Sequence, residues 1–193
     1  MNGTRSLIIG ALIAGVALGG IRPVLATSHH RSRGTHLSPG AFDGRPIVLV
    51  GDIALVSETS DSGAIGTTYP LHFTGPLVPA LRAAFNVEAE VTGRFDEHRR
   101  FLVTRIRLAD APHTRELYTG KVTLSHEVYP CLGWFGIGDQ TIRAIGPLAA
   151  ALHASGGLDL TIEGVSDEEG LFLVTSIELP FEEMKPWHEH GYE

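Results

Sequence analysis

The sequence predicts a mainly β protein with short helices: two tandem five-stranded units, each with one helix before its last two strands. Three observations carry this reading. Residues 75–109 align without a gap, at an offset of 71, with residues 146–180, and 15 of the 35 positions are identical. Ordinary composition would give about two or three identities, and a repeat this long marks two small domains in tandem, not a solenoid. Around the aligned segment apolar and polar residues alternate with period two, the mark of strands with one wet face. A proline-opened stretch with leucines four apart interrupts that alternation once in each copy.

The chain opens with a segment outside both copies. Arg5 lies in a short positive region, residues 7–21 are apolar, and Val24-Leu25-Ala26 supplies small residues for cleavage. This is the pattern of a secretory signal peptide, residues 1–26. The apolar stretch carries Gly10, Gly15, Gly19 and Gly20 and is short beside the roughly 20 residues of a membrane span. Export to the periplasm or the extracellular space is therefore expected, with no stable membrane insertion after cleavage. Beyond residue 26 the chain holds 13 basic and 22 acidic residues, and Lys121 and Lys185 are its only lysines. That balance repels phosphate backbones. Cys131 is the single cysteine, so no intrachain disulfide forms and stability rests on the cores.

Residues 27–45 are polar, rich in glycine and serine, and read as a flexible leader. In repeat one (residues 46–110), Ile47, Leu49, Ile53 and Leu55 alternate with Val48, Val50, Asp52 and Ala54, with Gly51 as a bulge or bend. The matching strand of repeat two (residues 116–180) sets Gly120, Val122 and Leu124 inward. Residues 59–68 form a turn-rich span before a strand at 69–74, so repeat one stays open to a four-stranded variant. In repeat two, residues 131–137 and 141–145 flank Gly138-Asp139 as a hairpin. The helices follow. Pro76 and Pro147 suit a first turn, Leu77 and Leu81 (Leu148 and Leu152) face the core, and Asn86 and Gly157 tolerate the left-handed conformation that ends a helix. Two strands close each copy, with Asp96-Glu97 and Asp167-Glu168 at the hairpin tips. Residues 111–115 link the copies, and residues 181–193 form an acidic, histidine-bearing tail.

The ends Val-Thr-Gly93 … Phe-Leu-Val-Thr104 and Ile-Glu-Gly164 … Phe-Leu-Val-Thr175, within the order strand, strand, helix, strand, strand, resemble OB-like domains of exported bacterial proteins. The resemblance implies two five-stranded OB-like barrels. It names no activity, since such barrels bind oligonucleotides, sugars, peptides or ions, or act as spacers.

No nucleophile elbow, zinc-protease helix, phosphate-cradling loop or dinucleotide fingerprint occurs. Cys131 within Cys-Leu-Gly-Trp-Phe reads as a small apolar core residue, and the chain reads as a non-enzyme with no catalytic residue. Arg94, Arg99, Arg100, Arg105 and Arg107 gather at the last hairpin of repeat one, and strict alternation puts Arg105 and Arg107 on one face with Phe101 and Val103, as in single-strand binders. The acidic total and nearby Glu88, Glu90, Asp96 and Glu97 favour a solvated face with cross-strand ion pairs, and docking of repeat one onto repeat two also fits. No nucleic-acid partner is expected. His29 and His30 near one end, and His188 and His190 near the other, are candidate ligands for copper, nickel or zinc. If cleavage follows Ala26, the amine of Thr27, two amides and the His29 imidazole make four nitrogens suited to square-planar Cu(II) or Ni(II). The residues thus read as an exported, non-enzymatic binding or scaffolding protein of the bacterial envelope, its partner an unidentified protein or small ligand. Metal handling by the terminal histidines, and nucleic-acid or oligosaccharide binding through an OB-type face, are the alternatives.

Overall fold

The structure, a computed structural model, describes residues 44–56, 60–68, 70–111, 116–124 and 132–180. The described residues belong to one compact unit. The protein is mainly β. In chain order its elements are β1 (Ile47–Leu55), β2 (Ser62–Ile65), β3 (Leu71–Thr74), α1 (Val78–Ala83), β4 (Glu88–Phe95) and β5 (Phe101–Leu108), then β6 (Glu116–Leu124), β7 (Leu132–Ile137), β8 (Gln140–Ile145), α2 (Ala149–Ala154), β9 (Asp159–Ser166) and β10 (Leu171–Glu178).

Alternation produces the strands. Along β1, Leu49 and Ile53 are buried while Val48, Val50, Asp52 and Ala54 face water, so one side of the strand is committed to the core. β1 pairs antiparallel with β2 and β4, β2 with β3, and β4 with β5, while β3 runs parallel to β5. These pairings return the five strands to their starting point. Repeat two has the same connections: β6 with β7 and β9, β7 with β8, β9 with β10, and β8 parallel to β10. The span read as turns before β3 thus contains a strand of its own. β2 is four residues long, too short for periodicity to announce it.

One antiparallel pairing, β5 with β10, joins all ten strands into a single sheet. Its register sets Ile106 opposite Ile177, flanked by Arg105 opposite Glu178 and Arg107 opposite Ser176. The two helices touch each other. Leu77, Leu81, Leu148 and Leu152 are fully buried, and the helices end where Asn86 (φ 61°) and Gly157 (φ 90°) turn left-handed. The two cores expected from the duplication are joined, for the buried side chains of both repeats form one connected cluster. Leu124 departs from its expected inward place and is exposed. Its neighbour Gly156 has no side chain to cover it, where the equivalent position of repeat one holds Phe85.

Each repeat also contains a glycine crossing. Gly51 (φ 137°) and Gly120 (φ 145°) lie against the glycines that follow the second strand of their repeat. A Cβ on Gly51 would come 2.5 Å from the Cα of Gly66, and one on Gly120 would come 2.8 Å from the Cα of Gly138. Both neighbours are main chain and cannot rotate aside. Gly51→Ala and Gly120→Ala are each expected to lose more than about 2 kcal/mol in denaturant unfolding. Gly44→Ala, where a Cβ meets nothing within 4 Å, is expected to cost less than either, by the same measurement.

Candidate functional site

A β-bulge decides where the arginines of repeat one point. β4 and β5 are in register from Ala89↔Leu108 to Thr92↔Arg105, and the next pair is Gly93↔Val103. Thr104 is the extra residue, and its hydroxyl donates to the carbonyl of Thr92 at 3.2 Å. Repeat two has the same device, with Thr175 donating to the carbonyl of Glu163 at 3.1 Å. An extra residue reverses the alternation. Phe101, Val103 and Ile106 are therefore buried, and Arg105 and Arg107 point out on the opposite side of the strand. Strict alternation put Phe101 beside those arginines, and the bulge corrects this. Phe101 is fully buried, edge-on to Phe95 at 5.2 Å and Phe73 at 6.4 Å, and offers no surface for a base. The signal was present in the sequence: the apolar positions step by three from Val103 to Ile106, and again from Val174 to Ile177.

Of the outward arginines, Arg105 bridges the two repeats and Arg107 bonds within repeat one. Arg105 Nε donates to Ser176 Oγ at 3.0 Å, its Nη2 lies 3.3 Å from Glu163 Oε2, and Glu178 Oε2 is 3.6 Å from Nε. Arg107 Nη1 donates to Glu90 Oε2 at 3.2 Å. Two unbroken cross-strand rows carry these groups over six strands. One is Val50, Glu90, Arg107, Ser176, Glu163, Leu117; the other is Val48, Thr92, Arg105, Glu178, Thr161, Thr119.

Arg94 and Arg100 belong to a different place, a groove of about 770 Å³ between the start of α1 and the β4–β5 hairpin. Thr74, Gly75, Leu102 and His98 line it with them. Asp96 organises the hairpin tip: its carboxylate accepts from the amides of His98 (2.9 Å) and Arg100 (2.8 Å) and from Arg100 Nε (2.8 Å). Burial pushes the Asp96 carboxyl up, but the bonds from Arg100 and His98 together hold it below its ordinary value. Arg99 sits at the tip with φ 59°. The five arginines are thus divided between a groove, a tip and a junction.

The corresponding outer surface of repeat two has another chemistry. Thr74, Leu102 and Arg94 form one row in repeat one, and the equivalent row in repeat two is Ile145, Leu173 and Val165. Ser62 pairs with His72, their side chains 2.7 Å apart. Their counterparts are Trp134 and Arg143, with the guanidinium 5.8 Å from the indole centroid. Sequence reasoning passed over Trp134 because repeat one has no aromatic there to draw attention to the position.

His29, His30, His188 and His190, with Cys131, lie outside the described residues. Among the described residues no group of three or more His, Cys, Asp or Glu side chains is placed to hold a metal ion, and no helix is long and apolar enough to cross a membrane.

With Phe101 enclosed and Arg100, Arg105 and Arg107 each bonded to carboxylates, single-stranded oligonucleotides have no stacking platform on this hairpin. Fluorescence anisotropy at low salt is expected to show no saturable binding. Micromolar binding that weakens in Arg105→Ala and Arg107→Ala would contradict this assignment. No protein family, curated protein or solved structure matches the chain.

Proposed function

We propose that this protein is an exported, non-enzymatic binding or scaffolding module of the bacterial envelope, built from two OB-like barrels fused into one unit. Support for the barrels comes from the strand pairing. In each repeat the first strand pairs with the second and fourth, the third runs beside the fifth, and the helix falls between the third and fourth strands, as in small barrels of this kind. Residues 46–110 and 116–180 are the two barrels in this reading, with residues 1–26 removed on export.

One observation carries the function. Most buried positions of the two repeats match, while the same outer rows hold mainly polar and charged groups around a groove in repeat one and, apart from Arg143, aliphatic and aromatic groups in repeat two. A duplication that only filled space would have no reason to give the same strand positions two chemistries. A protein presenting two different contact surfaces on one frame would.

Expressed in a bacterial host, the chain is expected in the exported fraction without residues 1–26. A photo-crosslinking residue at position 72 or 134 is expected to yield a discrete adduct of higher mass, detected by blotting and mass spectrometry. An intact leader in the cytoplasmic fraction, or no adduct from either position, would contradict the proposal.

A further inference from the structure

The outer surface of repeat two carries an indole, a cation and several aliphatic side chains that the fold itself does not require. Across β7, β8 and β10 one row runs Trp134, Arg143, Leu171, and beside it runs Ile145, Leu173, Val165. Trp134 is 44% exposed, and the other five are half-buried. The alternate residues of these strands, among them Phe135, Ile142, Ala144 and Phe172, are the buried ones, so the two rows face outward. Repeat one keeps the same inward pattern with Ser62, His72, Thr74 and Arg94 at four of the equivalent positions. The apolar character of this surface therefore serves something other than folding.

Arg143 is the informative member. Its neighbours across the strands are Trp134 and Leu171, and its guanidinium lies over the indole, 5.8 Å from the ring centroid. Among the described residues it pairs with no carboxylate. A guanidinium set among apolar side chains and already stacked on an aromatic ring is partly desolvated and pre-positioned for an anion. Trp and Arg, with Tyr, are also the residues enriched among interface hot spots, where surrounding contacts of little energy themselves exclude water.

We propose that this surface docks a polypeptide segment in which an aspartate or glutamate is flanked by apolar residues, the carboxylate meeting Arg143 and the apolar neighbours covering Trp134, Ile145, Leu171 and Leu173. This rests on the reading of the protein as a binding module and names the partner class of one of its two surfaces. Four other occupants fit the charge and shape less well. A nucleic acid or an anionic bilayer meets a chain of net charge −7, and one arginine does not offset that repulsion. Small molecules favour concave sites, and the groove lies on repeat one. A neutral apolar partner would leave Arg143 without an anion in a dehydrated contact, which is costly.

The test uses the purified exported chain, immobilised and selected against a phage-displayed library of random short peptides, with recovered peptides measured by titration calorimetry. The expected result is enrichment of peptides that carry an acid between apolar or aromatic residues. Arg143→Gln should weaken them by about tenfold or more, and Trp134→Ala should weaken them as well. Arg143→Glu should reverse the selection toward lysine- or arginine-bearing peptides, a change that misfolding could not produce. Leu117→Ser, on the outer side of β6, should leave affinity unchanged. Selection without an acid preference, or acid-bearing peptides that still bind Arg143→Glu, would overturn the proposal. So would binding to phosphatidylglycerol vesicles that Arg143→Gln abolishes, or self-association of the chain that Trp134→Ala removes. Crosslinked adducts at position 134 combined with no acid-bearing peptides would refute this proposal and leave the binding-module reading standing; the absence of adducts from both repeats would refute that reading itself.

Discussion

Where β5 meets β10, the chain pairs a segment with its own repeat. Ile106 faces Ile177, its equivalent 71 residues on, so the local geometry is that of a two-fold interface in which each side presents the same strand to the other. Both isoleucines are fully buried, and such burial contributes about 1.5–3 kcal/mol for each side chain. The bulges at Thr104 and Thr175 make the arrangement possible. By reversing the alternation within each strand, they keep Phe101 and Phe172 in the core near one end and bring Ile106 and Ile177 into it at the junction. The outward residues of β5 and β10 beyond the bulges, the Arg105 and Arg107 side chains among them, take their orientation from that shift.

Two-fold geometry also explains why the repeats differ in charge at this place. Glu178 is the equivalent of Arg107, and Ser176 of Arg105. Repeat one paired with itself in this register would set Arg105 against Arg107, cation opposite cation, twice over. In the chain as it stands Arg105 meets Glu178 and Glu163 instead. Partly exposed ion pairs add little to stability, but like charges directly opposite across two strands are unfavourable. The divergence therefore acts on which surfaces pair more than on how tightly they do so. The same freedom to diverge, applied to the outer rows farther from the junction, gives repeat one its polar groove and repeat two its Trp134–Arg143 surface.

Much of this was legible in the residues, for identifiable reasons. Burial of Leu49, Ile53, Leu77, Leu81, Leu148 and Leu152 followed from period-two and period-four spacing, and the left-handed Asn86 and Gly157 from their shared place after a helix. Three features were harder to read. β2 is short and lies among turn residues, so its existence depends on pairing with β1 and β3, which no local pattern encodes. The bulge was written in the three-residue step from Val103 to Ile106, yet strict alternation passes over such a step, and the gapless alignment hides it because both copies carry it. Leu124 is exposed because of what its neighbour Gly156 lacks, and that neighbour comes from a different part of the chain. In the candidate site, the arginines were visible as a cluster in sequence, but their separation into groove, tip and junction is a property of the folded sheet. Trp134 and Arg143 are partners only because the β7–β8 register sets them opposite each other.

The Ile106–Ile177 pairing makes the two repeats one cooperative body. Native-state hydrogen exchange under increasing denaturant, read peptide by peptide, tests it most directly. The buried strand segments around Ile53 in repeat one and Val122 in repeat two are expected to open with the same free energy and the same denaturant dependence. Ile106→Ala should lower both by the same amount, about 2–5 kcal/mol. Two distinct opening energies, with Ile106→Ala lowering that of repeat one alone, would contradict it.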